Sequence, residues 1–342
     1  MTNGLLLLEQ IELKRRPYGV LAYAINSLLA VLLNKIVISK FYFDYPVLLL
    51  LCQNAIGVVA LRIFSSLGLL HVPRYDFERA KDLLYPSFFY FVHVYFSLWA
   101  VGGLNLPQYE MLKRTLPFWY LAIYAYSVKR LPITRILNRH ALAAFTTICV
   151  GAMIAGNYET LFDVWSWLYT PVDIGFQLAY LFMLERAILR MQIGIYEALY
   201  IHCVHGIMFF AVADFMQDEI VDAYMYVTNS WYGSNTLFWT SVLGCCVTPL
   251  SANLAMFQCM LTDRTLHLTV AGNVKAMFHP LVGDVFGLFF IYDPNPTLVN
   301  MAGVLLALAA LPVYVVSVRS STATNGGAAR TIYIDQQKLM SM

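Results

Sequence analysis

The chain contains few charged residues, because Asp, Glu, Lys and Arg together make up only 12% of its 342 residues. Soluble domains carry about 25% charged residues. Hydrophobic residues account for 60% of the sequence and are grouped in long apolar runs. This composition excludes an ordinary soluble domain and predicts an all-α membrane protein that crosses the bilayer many times.

Sequence patterns of metal, redox and transferase sites are also missing. The six cysteines lie within or beside apolar runs, and no two of them form a CxxC pair. The acidic connection 214–235 has no DxD pattern of the kind a glycosyltransferase uses. His202 and His205 share a helix face, but Glu197 lies on the wrong turn for His205 and is only marginally near His202, so it is a poor third ligand. The sequence therefore predicts no metal and no cofactor, and it favours a protein that is not an enzyme.

The apolar runs predict ten membrane-spanning helices, since one helix needs about 20 mostly apolar residues to cross a bilayer. The ten segments are 18–39, 46–69, 84–102, 107–128, 139–157, 165–185, 195–216, 236–260, 265–291 and 297–318. They form one transporter-like domain at 18–318. Residues 1–17 are predicted to be a cytosolic N-terminus, and the polar residues 319–342 a flexible cytosolic tail.

Basic residues in the connections predict the orientation, because cytosolic loops are enriched in Lys and Arg. With ten segments, Lys40 is the only basic residue outside the membrane on one side. The other side, predicted to be cytosolic together with both termini, holds sixteen: Lys14, Arg15, Arg16, Arg74, Arg79, Lys81, Lys129, Arg130, Arg135, Arg139, Arg186, Arg190, Arg264, Arg319, Arg330 and Lys338.

The ten segments divide into five plus five, which is the arrangement of transporters built from two inverted repeats. In such proteins the substrate binds near the midplane, where the repeats meet. The fourth segment carries Lys113 and Arg114, followed by Pro117. Its counterpart, the ninth segment, carries Lys275 followed by Pro280. The matched positions predict that these basic residues meet at one site.

Charges within the membrane are costly, at about 2.5–3.5 kcal/mol for a Lys or Arg at a helix centre. More than two residues from their ends, the predicted spans contain five basic residues, Lys35, Arg62, Lys113, Arg114 and Lys275, and three acids, Glu110, Asp173 and Asp284. The excess of positive charge favours a polyanionic ligand, such as a nucleoside diphosphate-sugar. Two alternatives stay open: structural ion pairs with Glu110 and Asp284, and snorkelling of Lys35 and Arg62 to the interface.

Three stretches resemble the nucleotide-sugar transporters of the drug/metabolite transporter superfamily. Asn34-Lys35, followed by "FYFDYPVLLLLCQNAIG", resembles the family's NK motif with its aromatic turn. Residues 103–133, with "LKR" at 112–114, are similar to the transporters of UDP-N-acetylglucosamine and UDP-glucuronate. "GNVK" at 272–275 resembles the motif that reads GALNK in GDP-mannose transporters. Of the FYNN motif of that group, only Tyr200 is present in "LYIH" at 199–202.

The resemblance implies exchange of a cytosolic nucleotide-sugar for a lumenal nucleoside monophosphate, across the Golgi membrane or that of the endoplasmic reticulum. A UDP-sugar is favoured, and a GDP-sugar is the alternative. The implied partners are these nucleotides, the lipid bilayer and a second copy in a homodimer, without nucleic acid. A sugar-phosphate or triose-phosphate antiporter of the same fold is a further alternative, and a multipass membrane enzyme is a less favoured one. The candidate substrate-binding residues are Lys275, Asn273, Gly272, Lys113, Arg114, Tyr23, Asn253, Tyr200, Asn34 and Lys35.

Overall fold

The computed structural model describes residues 18–104, 106–129, 133–157, 164–191, 193–262, 265–276 and 296–324. This part of the chain is helical and contains no β-strand. A π-helical turn at Tyr124–Lys129 and a 3-10 turn at Trp231–Ser234 accompany the α-helices. The α-helices are α1 (Tyr18–Phe41), α2 (Pro46–Ser66), α3 (Phe77–Gly103), α4 (Leu106–Lys113), α5 (Leu116–Ile123), α6 (Ile133–Ile136), α7 (Arg139–Ala155), α8 (Val164–Met191), α9 (Ile195–Gln217), α10 (Glu219–Asn229), α11 (Thr236–Thr262), α12 (Thr265–Ala276) and α13 (Leu298–Thr324).

Six of these helices are long and apolar enough to cross a membrane, by length and composition. They contain the stretches Val20–Phe41, Pro46–Ser66, Phe77–Val101, Ile195–Gln217, Thr236–Met260 and Leu298–Val318. A shorter apolar helix covers Arg139–Ala155. The prediction of an all-helical membrane protein is therefore confirmed, whereas the count of ten spans and the cytosolic position of the termini stay predictions.

The structure divides the fourth predicted segment, 107–128, into two helices. Helix α4 ends at Lys113, and α5 begins at Leu116 with Pro117 in its first turn. Proline has no N–H to donate, and its ring clashes with the carbonyl four residues earlier, which is that of Lys113. A continuous helix through this point is thus disfavoured, and the chain makes a turn at Arg114 and Thr115.

Other boundaries also differ from the predicted ones. Helix α3 begins at Phe77 rather than 84, where Asp76 Oδ1 accepts a hydrogen bond from Glu78 N at 3.2 Å. Helix α13 continues to Thr324, past the predicted start of the tail at 319. Once a helix is nucleated, adding residues to its end needs no apolar side chains. Residues 1–17, the ninth segment after 276 and the tail after 324 lie outside the described residues.

The long helices pack in four pairs: α3 along α8, α1 along α11, α2 along α9 and α7 along α13. In the order of the predicted segments, these pairs are third with sixth, first with eighth, second with seventh and fifth with tenth. Moving every segment five places along the chain exchanges the first two pairs and leaves the other two unchanged. The packing thus has the pairwise symmetry expected of two five-helix repeats.

Glycines allow the close approach of α7 and α13. A Cβ atom added to Gly151 would lie 2.8 Å from the Gly303 carbonyl oxygen, and one on Gly303 would lie 2.5 Å from Ala155 N. Asn300 Nδ2 also donates to the Ala155 carbonyl at 3.2 Å and to that of Asn157 at 2.8 Å. Small residues at a helix crossing, together with a polar clamp, are a common means of joining helices in membranes.

The short helix α10 is joined to the start of α2. Glu219 Oε2 accepts hydrogen bonds from Val47 N at 2.8 Å and Leu48 N at 3.0 Å. These N–H groups belong to the first turn of α2, where no carbonyl of the same helix can accept from them. Burial raises the pKa of Glu219, although the two backbone donors favour its charged form. The acidic connection 214–235 is therefore attached to the helix bundle by this carboxylate.

Candidate functional site

A cavity of about 200 Å³ lies between helices of the two halves. Its described lining contains two lysines and no aspartate or glutamate. The polar and aromatic lining residues are Tyr23, Ser27 and Asn34 of α1, Gln53 of α2, Tyr90, His93 and Ser97 of α3, Tyr109 and Lys113 of α4, Gln177 and Tyr180 of α8, Asn253 of α11, and Thr269, Asn273 and Lys275 of α12. Such a wall suits an anionic ligand that also carries rings and hydroxyl groups.

Lys113 reaches the cavity from the last turn of α4 and is held by a buried carboxylate. Its Nζ lies 3.1 Å from Asp173 Oδ2 of α8 and 4.9 Å from the centroid of the Tyr109 ring. Tyr109 donates its hydroxyl to the same oxygen at 2.8 Å, and His93 Nδ1 contacts Asp173 Oδ1. Asp173 is fully buried, so α3, α4 and α8 are tied together directly behind the cavity wall.

Lys275 belongs to the second half of the chain and lies in the last turn of α12. Its Nζ donates to Ser27 Oγ of α1 at 2.5 Å. One turn earlier, a Cβ atom added to Gly272 would meet no described atom within 4 Å, so this position borders open space. Gly272 therefore lets the backbone of α12 form part of the wall, as expected for a position that a ligand approaches closely.

Asn273 lines the cavity but also supports the break between α4 and α5. Its side chain is 3% exposed, and Nδ2 donates to the Arg114 carbonyl at 3.1 Å. The same nitrogen lies 3.3 Å from Cys149 Sγ. The helix break exposes backbone carbonyls that would otherwise be bonded within one helix, and Asn273 accommodates one of them. The motif at 272–275 thus joins the two halves as well as lining the cavity.

The structure separates the basic pair at 113 and 114. Arg114 is 1% exposed and does not line the cavity. Its Nη1 donates instead to the Ala152 carbonyl of α7. Consecutive residues at a helix end point in different directions, and the turn before α5 directs Arg114 away from Lys113. Of the two candidates, only Lys113 is brought to the cavity.

Lys35 and Tyr200 are also outside the cavity lining. Lys35 is 5% exposed, and its Nζ donates to the carbonyls of Val101 at 2.9 Å and Leu104 at 3.1 Å. The snorkelling alternative is therefore wrong for Lys35, because these carbonyls at the end of α3 bind its ammonium group inside the protein. Tyr200 accepts a hydrogen bond from Arg62 Nε at 3.1 Å, and the guanidinium lies 4.5 Å from its ring centroid.

The remaining candidates, Tyr23, Asn34 and Asn253, all line the cavity. Asn253 Nδ2 donates to the hydroxyl of Tyr90 at 3.2 Å. Asn34 Oδ1 accepts from Gln53 Nε2 at 3.3 Å. Seven of the ten candidate residues thus meet at one cavity, namely Lys275, Asn273, Gly272, Lys113, Tyr23, Asn253 and Asn34.

His93, Gln177 and Tyr180 also line the cavity, although the sequence did not mark them as candidates. Asp173, one of the three membrane acids, offered a signal for two of them: Gln177 and Tyr180 follow it by four and seven residues. Residues at this spacing share one helix face, so a face that begins with a membrane acid continues with two further polar groups. His93 had no comparable signal, because its partner Asp173 lies in another helix.

His202 and His205 form a structural hydrogen-bond network behind the cavity. Ser87 Oγ lies 3.1 Å from His202 Nδ1 and 3.2 Å from His205 Nδ1. Tyr75 contacts His205 Nε2 through its hydroxyl at 3.1 Å. Within the described ranges, no group of three or more His, Cys, Asp and Glu side chains could hold a metal ion.

Comparison with known proteins identifies transporters as relatives of this chain. No protein-family profile matches the sequence. UDP-galactose/UDP-glucose transporter 7 of Arabidopsis thaliana is 24% identical over 264 residues, which cover 77% of this chain and 79% of the relative. Nucleotide sugar transporter SLC35D2 of Mus musculus is 21% identical over 296 residues, or 86% of each protein. The predicted resemblance to nucleotide-sugar transporters is thus confirmed.

A shorter match and a solved structure complete the comparison. The GDP-mannose transporter of Meyerozyma guilliermondii is 27% identical over 97 residues, which are 28% of each chain. One crystal structure superposes with a TM-score of 0.62 at 13% identity and covers 89% of this chain and 99% of its own. At that identity the superposition shows a shared fold and nothing about the ligand.

Proposed function

We propose that the chain transports a nucleotide-sugar across a membrane and binds it in the cavity between its two halves. The observation that carries this proposal is the cavity wall, where Lys113 of α4 and Lys275 of α12 accompany amide and tyrosine side chains. Two ammonium groups suit the two phosphates of a nucleoside diphosphate-sugar. The amides and tyrosines offer hydrogen bonds and flat surfaces to the base and the sugars.

A UDP-sugar is the favoured substrate. The Arabidopsis relative is named for UDP-galactose and UDP-glucose, and it aligns with 77% of this chain. The match to a GDP-mannose transporter covers only 28% of the chain, which keeps a GDP-sugar as the alternative. The stretch 199–202 also keeps only Tyr200 of the motif of that group, and here Tyr200 pairs with Arg62 outside the cavity lining.

Exchange for a nucleoside monophosphate follows from the charge of the site. Among the described residues, the charged groups at the cavity are Lys113 and Lys275, with the buried Asp173 beside Lys113. Positive charge in a low-dielectric interior is unfavourable, so the conversion between inward-open and outward-open states should be slow without a bound phosphate. The cavity volume of about 200 Å³ is below the 300–1,000 Å³ usual for ligand pockets, so binding also requires the helices to separate.

The proposal places this exchange in the Golgi membrane, with the endoplasmic reticulum as the alternative and a homodimer as the assembly. The reaction needs no cofactor, because transport by exchange is driven by the gradients of the two nucleotides. No bond of the substrate is broken, which fits a protein that is not an enzyme.

Uptake into proteoliposomes tests the proposed function. Vesicles preloaded with UMP, with GMP or with buffer are offered labelled UDP-sugars, a labelled GDP-sugar and a labelled triose phosphate. We expect fast uptake of a UDP-sugar into UMP-loaded vesicles and slow uptake into empty ones. Equal rates in loaded and empty vesicles contradict exchange, and preferential uptake of the triose phosphate favours the sugar-phosphate antiporter instead. Vesicles that contain Lys275→Met protein control for leakage.

A further inference from the structure

Two side chains of α8 that line the cavity carry buried polar atoms without hydrogen-bond partners among the described residues. Gln177 Oε1 and the Tyr180 hydroxyl are both buried, and neither finds a partner among the described residues. Both residues line the cavity, and Tyr180 is only 2% exposed. Buried polar atoms are almost always hydrogen-bonded, because leaving one unpaired is costly. Two such atoms on one cavity wall therefore point to groups that a ligand supplies.

The position of these atoms along α8 relates them to the phosphate end of the proposed ligand. Asp173, Gln177 and Tyr180 lie on the same helix face, and a helix rises 1.5 Å per residue. Gln177 is thus about 6 Å and Tyr180 about 10 Å along the axis from Asp173. Because Asp173 holds Lys113, the two unpaired atoms lie one to two helical turns from a proposed phosphate anchor. A nucleotide spans such a distance between its phosphates and its base.

The surroundings of Tyr180 suit a flat, partly apolar group. The Tyr90 and Tyr180 ring centroids are 5.1 Å apart, and Leu181 and Met256 also line the cavity. Asn253 fixes the hydroxyl of Tyr90, so this ring is held in place by a hydrogen bond. A rigid wall of aromatic and aliphatic side chains with a few polar atoms is the usual form of a binding site for a ring.

We propose that Gln177 and Tyr180 recognise the uracil base of the proposed UDP-sugar. The uracil edge carries an N3–H donor between two carbonyl acceptors. Gln177 Oε1 accepts from N3–H, and the Tyr180 hydroxyl donates to a neighbouring carbonyl. Cytosine has no hydrogen on N3, so it cannot supply this donor. This inference rests on the proposed transport of a UDP-sugar and assigns two residues to the recognition of its base.

Binding of UMP and N3-methyl-UMP to the purified full-length protein tests the inference. The methyl group removes the N3–H donor and leaves the phosphate and the ribose unchanged. We expect wild-type protein to bind UMP at least about tenfold more tightly than N3-methyl-UMP, since a site built to pair a polar group rejects an analogue that lacks it. Gln177→Met should weaken UMP binding on the order of tenfold and abolish the discrimination between the two nucleotides.

Two further variants complete the design. Tyr180→Phe removes only the hydroxyl, so it should weaken UMP binding several-fold and keep the preference for UMP over N3-methyl-UMP. Arg186→Gln is the control, because Arg186 is exposed on the same helix and does not line the cavity. The ligand-free melting temperature of Gln177→Met and Tyr180→Phe should hold or rise, because each change removes an unpaired buried atom. A structural role predicts the opposite, a lower melting temperature.

Other results of these binding measurements refute either the base assignment or the proposed function. Equal affinity of wild-type protein for UMP and N3-methyl-UMP, or discrimination that survives in Gln177→Met, refutes the base assignment and leaves the proposed transport intact. Tighter binding of GMP than of UMP refutes uracil. If Gln177→Met changes the choice between UDP-sugars but not the affinity for UMP, the pair recognises the transferred sugar, and the inference is wrong. Absence of binding for every nucleotide refutes the proposed function itself.

Discussion

The ion pair of Lys113 and Asp173 allows the structural and the transport role of one lysine to be separated. In Asp173→Asn, the ammonium of Lys113 keeps its position beside the cavity but loses the carboxylate 3.1 Å away. In Lys113→Met, the fully buried Asp173 keeps its charge but loses its lysine. In the double variant, neither charge is present. We expect both single variants to be unstable and the double variant to fold well without transporting.

The magnitude follows from the burial of the pair, whose side chains are 17% and 0% exposed. Removing one partner of a buried ion pair costs about 3–5 kcal/mol, because the other charge remains without compensation. Replacing both partners with neutral groups of similar size is often neutral or stabilising. For a chain of this size, the loss in each single variant corresponds to a decrease in melting temperature of about 4–7 °C.

The assay combines melting in detergent with exchange in proteoliposomes. The exposed Arg186, on the same helix as Asp173, provides the control, since Arg186→Gln removes a charge that is not buried. Transport should be lost in the double variant even though its melting temperature returns to near the wild-type value. Wild-type transport by the double variant would refute Lys113 as a phosphate anchor. Single variants that melt like wild type would show that the pair does not stabilise the fold.

Three further predictions concern other parts of the site and the fold. Lys275→Met should abolish nucleotide exchange, and Lys275→Arg should impair it, because the planar guanidinium is larger than the ammonium that donates to Ser27; exchange at the wild-type rate in Lys275→Met contradicts this. Gly272→Val should slow exchange without lowering the melting temperature, because a Cβ atom at this position meets no described atom within 4 Å and the side chain narrows the cavity; an unstable variant contradicts this. Because burial raises the pKa of Glu219 above its ordinary 4.5, the contribution of this group to stability is complete below that pH and is lost as pH rises through the folded-state pKa. The melting temperature of Glu219→Gln should therefore exceed that of wild type by a margin that grows as pH rises towards 7. A difference that stays constant with pH would contradict this.

The helical membrane fold could be predicted from sequence because the bilayer leaves the chain little choice. A segment in hydrocarbon must satisfy its backbone hydrogen bonds internally, so apolar runs of sufficient length become helices. Isolated lysines in such runs are expensive, which is why Lys113 and Lys275 stand out in the sequence as candidate site residues. The structure brings both to one cavity, as their matched places in the two halves predicted.

The orientations of the Arg114 and Lys35 side chains could not be predicted in the same way. Arg114 follows Lys113 directly, but the helix break before Pro117 turns it towards a carbonyl of α7. Lys35 binds carbonyls at the end of α3, more than sixty residues later in the chain. These described partners are backbone carbonyls, so a count of acids against bases gives no sign of them. Only the packing of distant helices decides where such a side chain finds its acceptors.

The positions of Arg114 and Lys35 change the charge that the ligand has to match. The sequence indicated two surplus positive charges, but Arg114 and Lys35 are bonded to backbone carbonyls away from the cavity. At the site itself, the described charges are Lys113 and Lys275 with Asp173 behind them. A nucleoside monophosphate and a nucleoside diphosphate-sugar each carry nearly two negative charges at neutral pH, since the second phosphate proton of a monoester dissociates near pH 6. One cavity with this set of charges can therefore serve both partners of the proposed exchange, and they would be distinguished by their sugars and not by their charge.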